Sequence, residues 1–479
     1  MNHPSRVNGQ RRSSGGTGHS AAAYGRSRPR RPSGRPSGGR APSGRSAGEF
    51  ALPVSTTPAL DPVSTFQELD MPAPLKSTLA RQGLTTPSAI QSATLPNSLA
   101  GRDVLGRSQT GSGKTLAFGL ALLARLNGRT AQPRQPLALV LAPTRELAQQ
   151  VADSLTPYAR SLKLNLTTVV GGMPISRQAR ALRQGVELVV ATPGRLRDLV
   201  ERGDCVLDQV DVAVLDEADQ MTDMGFMPQV TAILQQVPVG GQRMLFSATL
   251  DRNVDTLVRR FLNDPVVHSV DPTAGAVTTM EHHVLHVSNA DKQATATHIA
   301  SRDGQVIMFL DTKHAVDKMA KHLLANGVRA AALHGGRSQP QRTRTLKQFK
   351  DGTVSALVAT NVAARGIHID GLDLVVNIDP PTDHKDYLHR GGRTARAGES
   401  GNVVTLVLPS QRREMARLMS RAQVEAQTAQ VSSQDPELVR VTGARTPSGV
   451  PVTLPAEPRQ EASRSSRPPS RARRRPRHY

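Results

Sequence analysis

The chain has no tryptophan, and its four Tyr and eight Phe hold aromatics to 3% of 479 residues. That scarcity argues against RNA modules that read bases by stacking them on aromatic platforms. There is a single cysteine, Cys205. It excludes an intramolecular disulfide and a Cys-rich zinc site, fits a reducing compartment, and reads as a bland core or surface residue rather than a nucleophile. No stretch approaches the roughly 18 to 20 consecutive apolar residues of a membrane span. Arg11-Arg12 resembles a twin-arginine signal, but Ser, Gly and His follow where an apolar segment is needed, so no targeting signal is read. Acidic residues are also scarce, 39 against 61 Lys and Arg, for a net charge of +22.

What is present is unevenly distributed. Residues 1–50 hold ten Arg and one Glu, and residues 457–479 hold eight Arg and two Glu, so the ends carry +15 of the +22. Such charge suits a polyanion, because each phosphate neutralised releases condensed counterions; a merely solubilising tail is the alternative. The run Ser33-Gly34-Arg35-Pro36-Ser37-Gly38-Gly39-Arg40 is low-complexity and buries too little apolar surface to offset the entropy of ordering. Arg outnumbers Lys fifty-one to ten, which suits a GC-rich genome, and the lean core suggests a bacterial cytoplasmic protein; the basic ends read equally as nuclear-targeting segments.

Between the ends, short apolar runs alternate with helical stretches: 137–142, 166–170, 186–191, 212–215 and 244–246, then, after the turn-rich 271–276, 284–287, 306–310, 330–333, 356–359, 374–378 and 403–408. Runs without polar alternation, separated by helices, predict parallel strands buried on both faces. The expectation is α/β: a disordered basic arm over 1–62, one doubly wound domain over 63–270, a linker over 271–281, a second domain over 282–430 and a disordered basic tail over 431–479. Met415, Leu418, Met419 and Ala422 fall at helical spacing and are expected to pack on the second domain.

Thr110-Gly111-Ser112-Gly113-Lys114-Thr115 follows the apolar Val104-Leu105 and precedes a helical run. Glycines at a strand-to-helix turn let backbone N–H groups approach phosphate oxygens, and the helix N-terminus adds positive potential. Lys114 would contact the β and γ phosphates and Thr115 a Mg²⁺ ion, although Ser108 stands where the strict pattern has Gly. About a hundred residues on, Asp216-Glu217-Ala218-Asp219 ends a buried run. There Asp216 would hold the metal, largely through water, and Glu217 would orient the attacking water, unless the acids merely complement a helix dipole.

The two motifs together resemble the DEAD-box helicase family over roughly residues 66–401. The resemblance implies two tandem RecA-like domains, RNA-stimulated hydrolysis of ATP, and local separation of short RNA duplexes. It assigns Gln91, in Pro87-Ser88-Ala89-Ile90-Gln91, to the adenine edge and Phe66, seventeen residues before Gly83, to stacking on the base. An amide offers one donor and one acceptor together, which matches adenine and not guanine. Ser247 and Thr249 would couple Asp219 to domain closure.

In His389-Arg390-Gly391-Gly392-Arg393-Thr394-Ala395-Arg396, spacing three allows Arg390, Arg393 and Arg396 to share a helical face, which by itself could be a basic helix for RNA backbone. The resemblance instead makes Arg393 and Arg396 arginine fingers on the γ-phosphate and His389 and Arg390 links between lobes. Relatives have an apolar residue at Gly391, Gly at Ala395, and Asp at both Asn361 and His368; the resemblance places Gly366 and His368 in the ATP site, where the family's Asp at the His368 position contacts the ribose and His368 departs from it. For RNA, Pro143, Thr144, Arg145, Gly172, Thr192, Gly194 and Arg195 follow strands of the first domain, and the resemblance adds Thr312, Gln339, Arg342, Thr360 and Asn361. Small hydroxyl residues, exposed N–H groups and single arginines suit a sugar-phosphate backbone rather than base edges. A non-catalytic RNA chaperone and a DNA-directed P-loop motor are the competing readings.

Overall fold

The computed structural model describes residues 57–108, 111–270, 280–364, 372–394 and 401–455. Thr110, Gly366, His368, Arg396, the arm before 57 and the end after 455 lie outside the described residues, as does 271–279 of the expected linker.

Seven strands, β1 (Val104–Arg107), β2 (Ala138–Leu141), β3 (Leu166–Val169), β4 (Leu188–Ala191), β5 (Val212–Asp216), β6 (Gln242–Ser247) and β7 (Val266–Ser269), form a parallel sheet in the order β3-β4-β2-β5-β6-β1-β7. Seven more, β8 (Met280–His286), β9 (Val306–Phe309), β10 (Ala330–Leu333), β11 (Ala356–Ala359), β12 (Leu374–Asn377), β13 (Gly401–Val407) and β14 (Gln427–Gln430), form a second, again parallel, in the order β10-β11-β9-β12-β13-β8-β14. Counted within each sheet, the two strand orders are identical.

Successive residues of a strand point to opposite faces, and the apolar runs fill both. Ala138, Val140, Val212 and Val214 join one core of the first sheet, whereas Leu139, Leu141, Ala213 and Leu215 join the other. The second sheet repeats the arrangement with Val306 and Met308 against Ile307 and Phe309. Each fully buried side chain of this kind stabilises by about 1.5–3 kcal/mol. Cys205 packs in the first lobe at 1% exposure, where burial pushes its thiol up to about 12. Met415, Leu418 and Met419 are buried on one side of the helix Arg412–Ala422, as the spacing predicts.

Two strands escaped the sequence pattern. β7 and β14 are edge strands, half-buried or exposed along most of their length, so neither carries a continuous apolar run. The chain also stays packed past 430. Helix Pro436–Thr442, capped by Asp435 accepting from Glu437 N at 2.9 Å, buries Leu438 and Val441 in the second lobe's core, and Val452 N donates to Leu324 O at 2.9 Å. Composition assigned these residues to the basic tail because their few apolar positions sit among Gln, Ser, Asp and Pro. Among the described residues no helix is long and apolar enough to cross a membrane.

Candidate functional site

The loop leaving β1 turns into the helix Lys114–Leu126 through two left-handed glycines, Gly111 (φ 89°) and Gly113 (φ 95°). A Cβ on Gly113 would stand 2.5 Å from Gln91 Nε2 and 2.8 Å from Ser88 Oγ, so only glycine fits. Ser108, the departure from the strict glycine pattern, closes the loop itself. Its hydroxyl bonds Ser112 Oγ at 2.8 Å and its carbonyl accepts from Lys114 Nζ at 3.2 Å.

The acidic motif begins at the end of β5. Glu217 adopts a left-handed backbone (φ 52°, ψ 55°), a strained conformation for a residue with a Cβ, costing about 1–2 kcal/mol. This turn delivers its carboxylate to Lys114 Nζ at 2.9 Å, with both side chains almost fully buried. Burial alone would lower the Lys114 ammonium, but Glu217 and Asp216 outweigh it and hold it above its ordinary range. Burial and the adjoining Glu217 carboxylate push Asp216 up to about 7. Asp216 Oδ1 and Glu217 Oε2 are buried without a hydrogen-bond partner. Buried oxygens left in this state call for a cation or its water shell, so the donor set fits Mg²⁺. A cavity of about 400 Å³ opens beside Gly111, Gly113, Lys114, Thr115, Asp216 and Glu217.

Asp219 is the hub of the site. Its Oδ2 accepts from Thr249 N at 2.8 Å and Thr249 Oγ1 at 2.7 Å, while its own N–H donates to Ser247 Oγ at 3.2 Å. From the second lobe, His389 Nε2 stands 3.5 Å from the same Oδ2, with both side chains buried. Burial would raise Asp219, but His389 and Thr249 hold it well below the carboxylate range. Asp219 thus ties Ser247, Thr249 and His389 together across the lobes.

On a second seam the helices Arg145–Ser161 and Gln339–Lys350 meet. Arg145 Nη1 donates to Gln339 Oε1 at 3.2 Å, Gln339 Nε2 to Glu146 Oε1 at 3.0 Å, and Arg342 Nη2 pairs with Glu146 Oε2 at 2.9 Å. Gly172 (φ 75°) lies against the Arg145 guanidinium, which a Cβ there would meet at 2.0 Å. Arg195 Nη1 donates to the carbonyls of Val170 and Met173 at 3.1 and 2.8 Å. Thr144 and Thr312 cap their helices, accepting from Leu147 N at 3.2 Å and Ala315 N at 3.1 Å. Thr192, Gly194 and Thr360 stand at the starts of further helices, and Pro143 precedes Thr144, so each lies where a helix N-terminus carries positive potential. Glu146 carried no role in the sequence reading. An acid in a first helical turn looks like dipole compensation, and its partners lie 193 and more residues away.

Three expectations change. Phe66 is buried in the first lobe's core at 2% exposure rather than presented to a base. The Gln91 amide is engaged internally, donating to Gly113 O at 3.0 Å and accepting from Ser88 N at 2.9 Å. The helix His384–Gly391 ends before Arg393, so Arg390 and Arg393 share no helical face. Arg390 turns into the second lobe, where it donates to Asn377 Oδ1 at 3.1 Å and Asp379 O at 3.0 Å and lies over the Phe309 ring. Arg393, 2% exposed, donates from Nε to His389 O at 3.1 Å.

A phosphate loop on one of two parallel sheets of identical strand order, with an acidic motif contacted by the second lobe, defines a tandem RecA-like P-loop protein. The sequence profile of the DEAD/DEAH box helicases matches residues 88–257, and that of the helicase conserved C-terminal domain matches 291–398. The chain is 41% identical over 360 residues to the ATP-dependent RNA helicase DBP2 of Meyerozyma guilliermondii, covering 72% of this chain and 64% of that protein. It is 39% identical over 358 residues to the DEAD-box ATP-dependent RNA helicase CshA of Geobacillus kaustophilus, covering 74% and 75%. The solved structure of S. cerevisiae Dbp5 bound to RNA and ADP BeF3 superposes with a TM-score of 0.70 at 27% identity, over 80% of this chain and 99% of that one. The chain belongs to the DEAD-box ATP-dependent RNA helicase family.

Proposed function

We propose that the chain is an ATP-dependent RNA helicase of the cytoplasm that clamps RNA between its lobes, parts a short duplex on closure and resets when ATP is hydrolysed. The observation that carries this reading is the position of Asp219, which joins the acidic motif to Ser247 and Thr249 on one side and His389 on the other. A group shared in this way makes occupancy of the nucleotide site and closure of the lobes one equilibrium, so ATP and RNA each raise the other's affinity.

Within this scheme the loop N–H groups of Gly111, Ser112 and Gly113, with Thr110, cradle the phosphates, and Lys114 exchanges Glu217 for the β and γ oxygens. Glu217, released from Lys114, orients water for attack on the γ-phosphorus, giving ADP and phosphate. Thr115 and Asp216 would hold Mg²⁺, which would neutralise charge on the transferred group. Arg393 and Arg396 stabilise that charge from the second lobe. Gln91 belongs to the base side, and Gly366 and His368 to the ribose side.

RNA backbone is held by Pro143, Thr144, Arg145, Gly172, Thr192, Gly194 and Arg195 from one lobe and Thr312, Gln339, Arg342, Thr360 and Asn361 from the other. Contact through helix N-termini and guanidinium groups is largely independent of base sequence. The basic ends add non-specific affinity and raise local RNA concentration.

The test is ATP hydrolysis without nucleic acid, with RNA and with matched DNA, for the wild type and Glu217→Gln. RNA should stimulate, DNA should not, and the substitution should lower the rate by about a hundredfold or more. Absence of RNA stimulation would leave a non-catalytic RNA chaperone, and equal stimulation by DNA would leave a DNA-directed motor.

A further inference from the structure

One interlobe contact belongs to none of the motifs above. Lys385 is the second residue of the helix His384–Gly391, whose N-cap Asp383 accepts from Asp386 N at 2.8 Å. Its ammonium pairs with Asp251 Oδ2 and lies 3.5 Å from Asp223 Oδ1, both in the first lobe. The Asp251 carboxylate divides its work. Oδ1 accepts from Asn253 N at 2.9 Å and Val254 N at 2.8 Å, capping the helix Arg252–Phe261, which leaves Oδ2 to face the second lobe.

The placement is specific. Asp251 lies two residues beyond Thr249 and Asp223 four beyond Asp219, so the segments that converge on Asp219 each also offer a carboxylate to Lys385. Lys385 and His389 are four residues apart on one helix and share a face. That face therefore meets the first lobe at two points one turn apart, His389 on Asp219 and Lys385 on Asp251 and Asp223.

Exposed ion pairs contribute little, because water and salt screen them. Here all three side chains are only 21–23% exposed, and one ammonium serves two carboxylates. Separation of the lobes breaks both contacts, so their whole contribution belongs to the closed state.

We infer that Lys385 is a positioning residue for closure, an electrostatic latch that holds the helix bearing His389, and the chain leading to Arg393, against the acidic motif. The inference rests on the proposed coupling between ATP and RNA. Lys385 touches neither ligand; it acts through the pose of its helix.

The experiment measures the affinity of the full chain for a fluorescent single-stranded RNA with and without the non-hydrolysable analogue AMP-PNP. The ratio of the two is the coupling, from which the intrinsic salt dependence of RNA binding cancels. Lys385→Met keeps the stem and removes the charge. Asp251→Asn keeps the helix cap, since Asn caps as well as Asp, and removes the partner charge. Each should reduce the coupling roughly three- to tenfold, leaving RNA affinity without nucleotide and the melting midpoint unchanged. The double substitution should fall no further than the worse single one, and Lys385→Arg should retain most of the coupling.

Coupling in Lys385→Met equal to wild type, or losses that multiply in the double variant, would overturn the latch. A wild type with no coupling would instead overturn the helicase reading itself, which separates the two failures.

Discussion

The fifth strand of each sheet is followed by a segment at the interlobe site, and the side chains that meet there are complementary, carboxylates from the first lobe and an ammonium and an imidazole from the second. β5 ends in Asp216 and leads into Glu217, Asp219 and Asp223; after β12 come Lys385 and His389, which face Asp223 and Asp219 respectively, and Arg390, which turns inward. The second strands behave differently. After β2 and β9 the same device recurs, a threonine N-cap, with Thr144 and Thr312 accepting from the N–H three residues on. One strand order thus serves twice, with like ends where the proposed RNA contact lies and complementary ends where the lobes meet. On the proposed mechanism neither lobe alone holds a complete site, so the chemistry waits for closure.

The contrast between the fifth-strand segments can be broken most forcefully at His389. His389→Ala should lower RNA stimulation of hydrolysis by roughly 10- to 100-fold, measured as phosphate release, while ATP affinity without RNA holds. An equal loss in the RNA-free rate would mean that His389 serves its own lobe and not the junction.

Gly113→Ala attacks the first lobe alone. The left-handed backbone and the overlap with Gln91 should cost about 1–3 kcal/mol, read as a roughly tenfold weaker ATP affinity. Unchanged affinity would show that the loop relaxes freely.

Asp216 tests the acid side through pH. Its carboxyl, raised from 3.8 to about 7 by burial and by Glu217, contributes stability that is intact below about pH 4 and is lost as pH rises through about 7. Asp216→Asn should therefore melt a few degrees above the wild type at pH 8 without nucleotide, with no difference at pH 4. An identical pair of pH profiles would contradict the buried charge.

The smallest effect is expected at position 368, where the family resemblance implies an acid on the ribose. His368→Asp should lower KM for ATP by roughly two- to fivefold through one added hydrogen bond. No change would detach the ribose from this position.

The strands of both cores were legible as apolar runs, because parallel strands buried on two faces have no polar alternation to obscure them. β7 and β14 were not, since these two edge strands are half-buried or exposed along most of their length and leave no continuous run. The catalytic motifs were legible as local strings, and the structure brings Lys114 to Glu217 and Asp219 to Thr249. What the string could not show is how each side chain divides its bonds. Gln91 bonds within its own lobe, Arg390 turns inward to Asn377, and Glu146 finds partners on a helix of the second lobe. Such pairings span 13 residues for Arg390, 22 for Gln91 and 193 for Glu146, and no periodicity encodes any of them.

Cys205 offers a practical consequence. Only a thiolate reacts readily with maleimides, and the chain's one thiol is sealed in the first lobe with ionisation pushed to about 12. The native protein is therefore expected to react slowly with thiol-directed dyes. A cysteine introduced on each lobe would give a donor–acceptor pair on an unlabelled background, turning closure into a distance that single molecules can report.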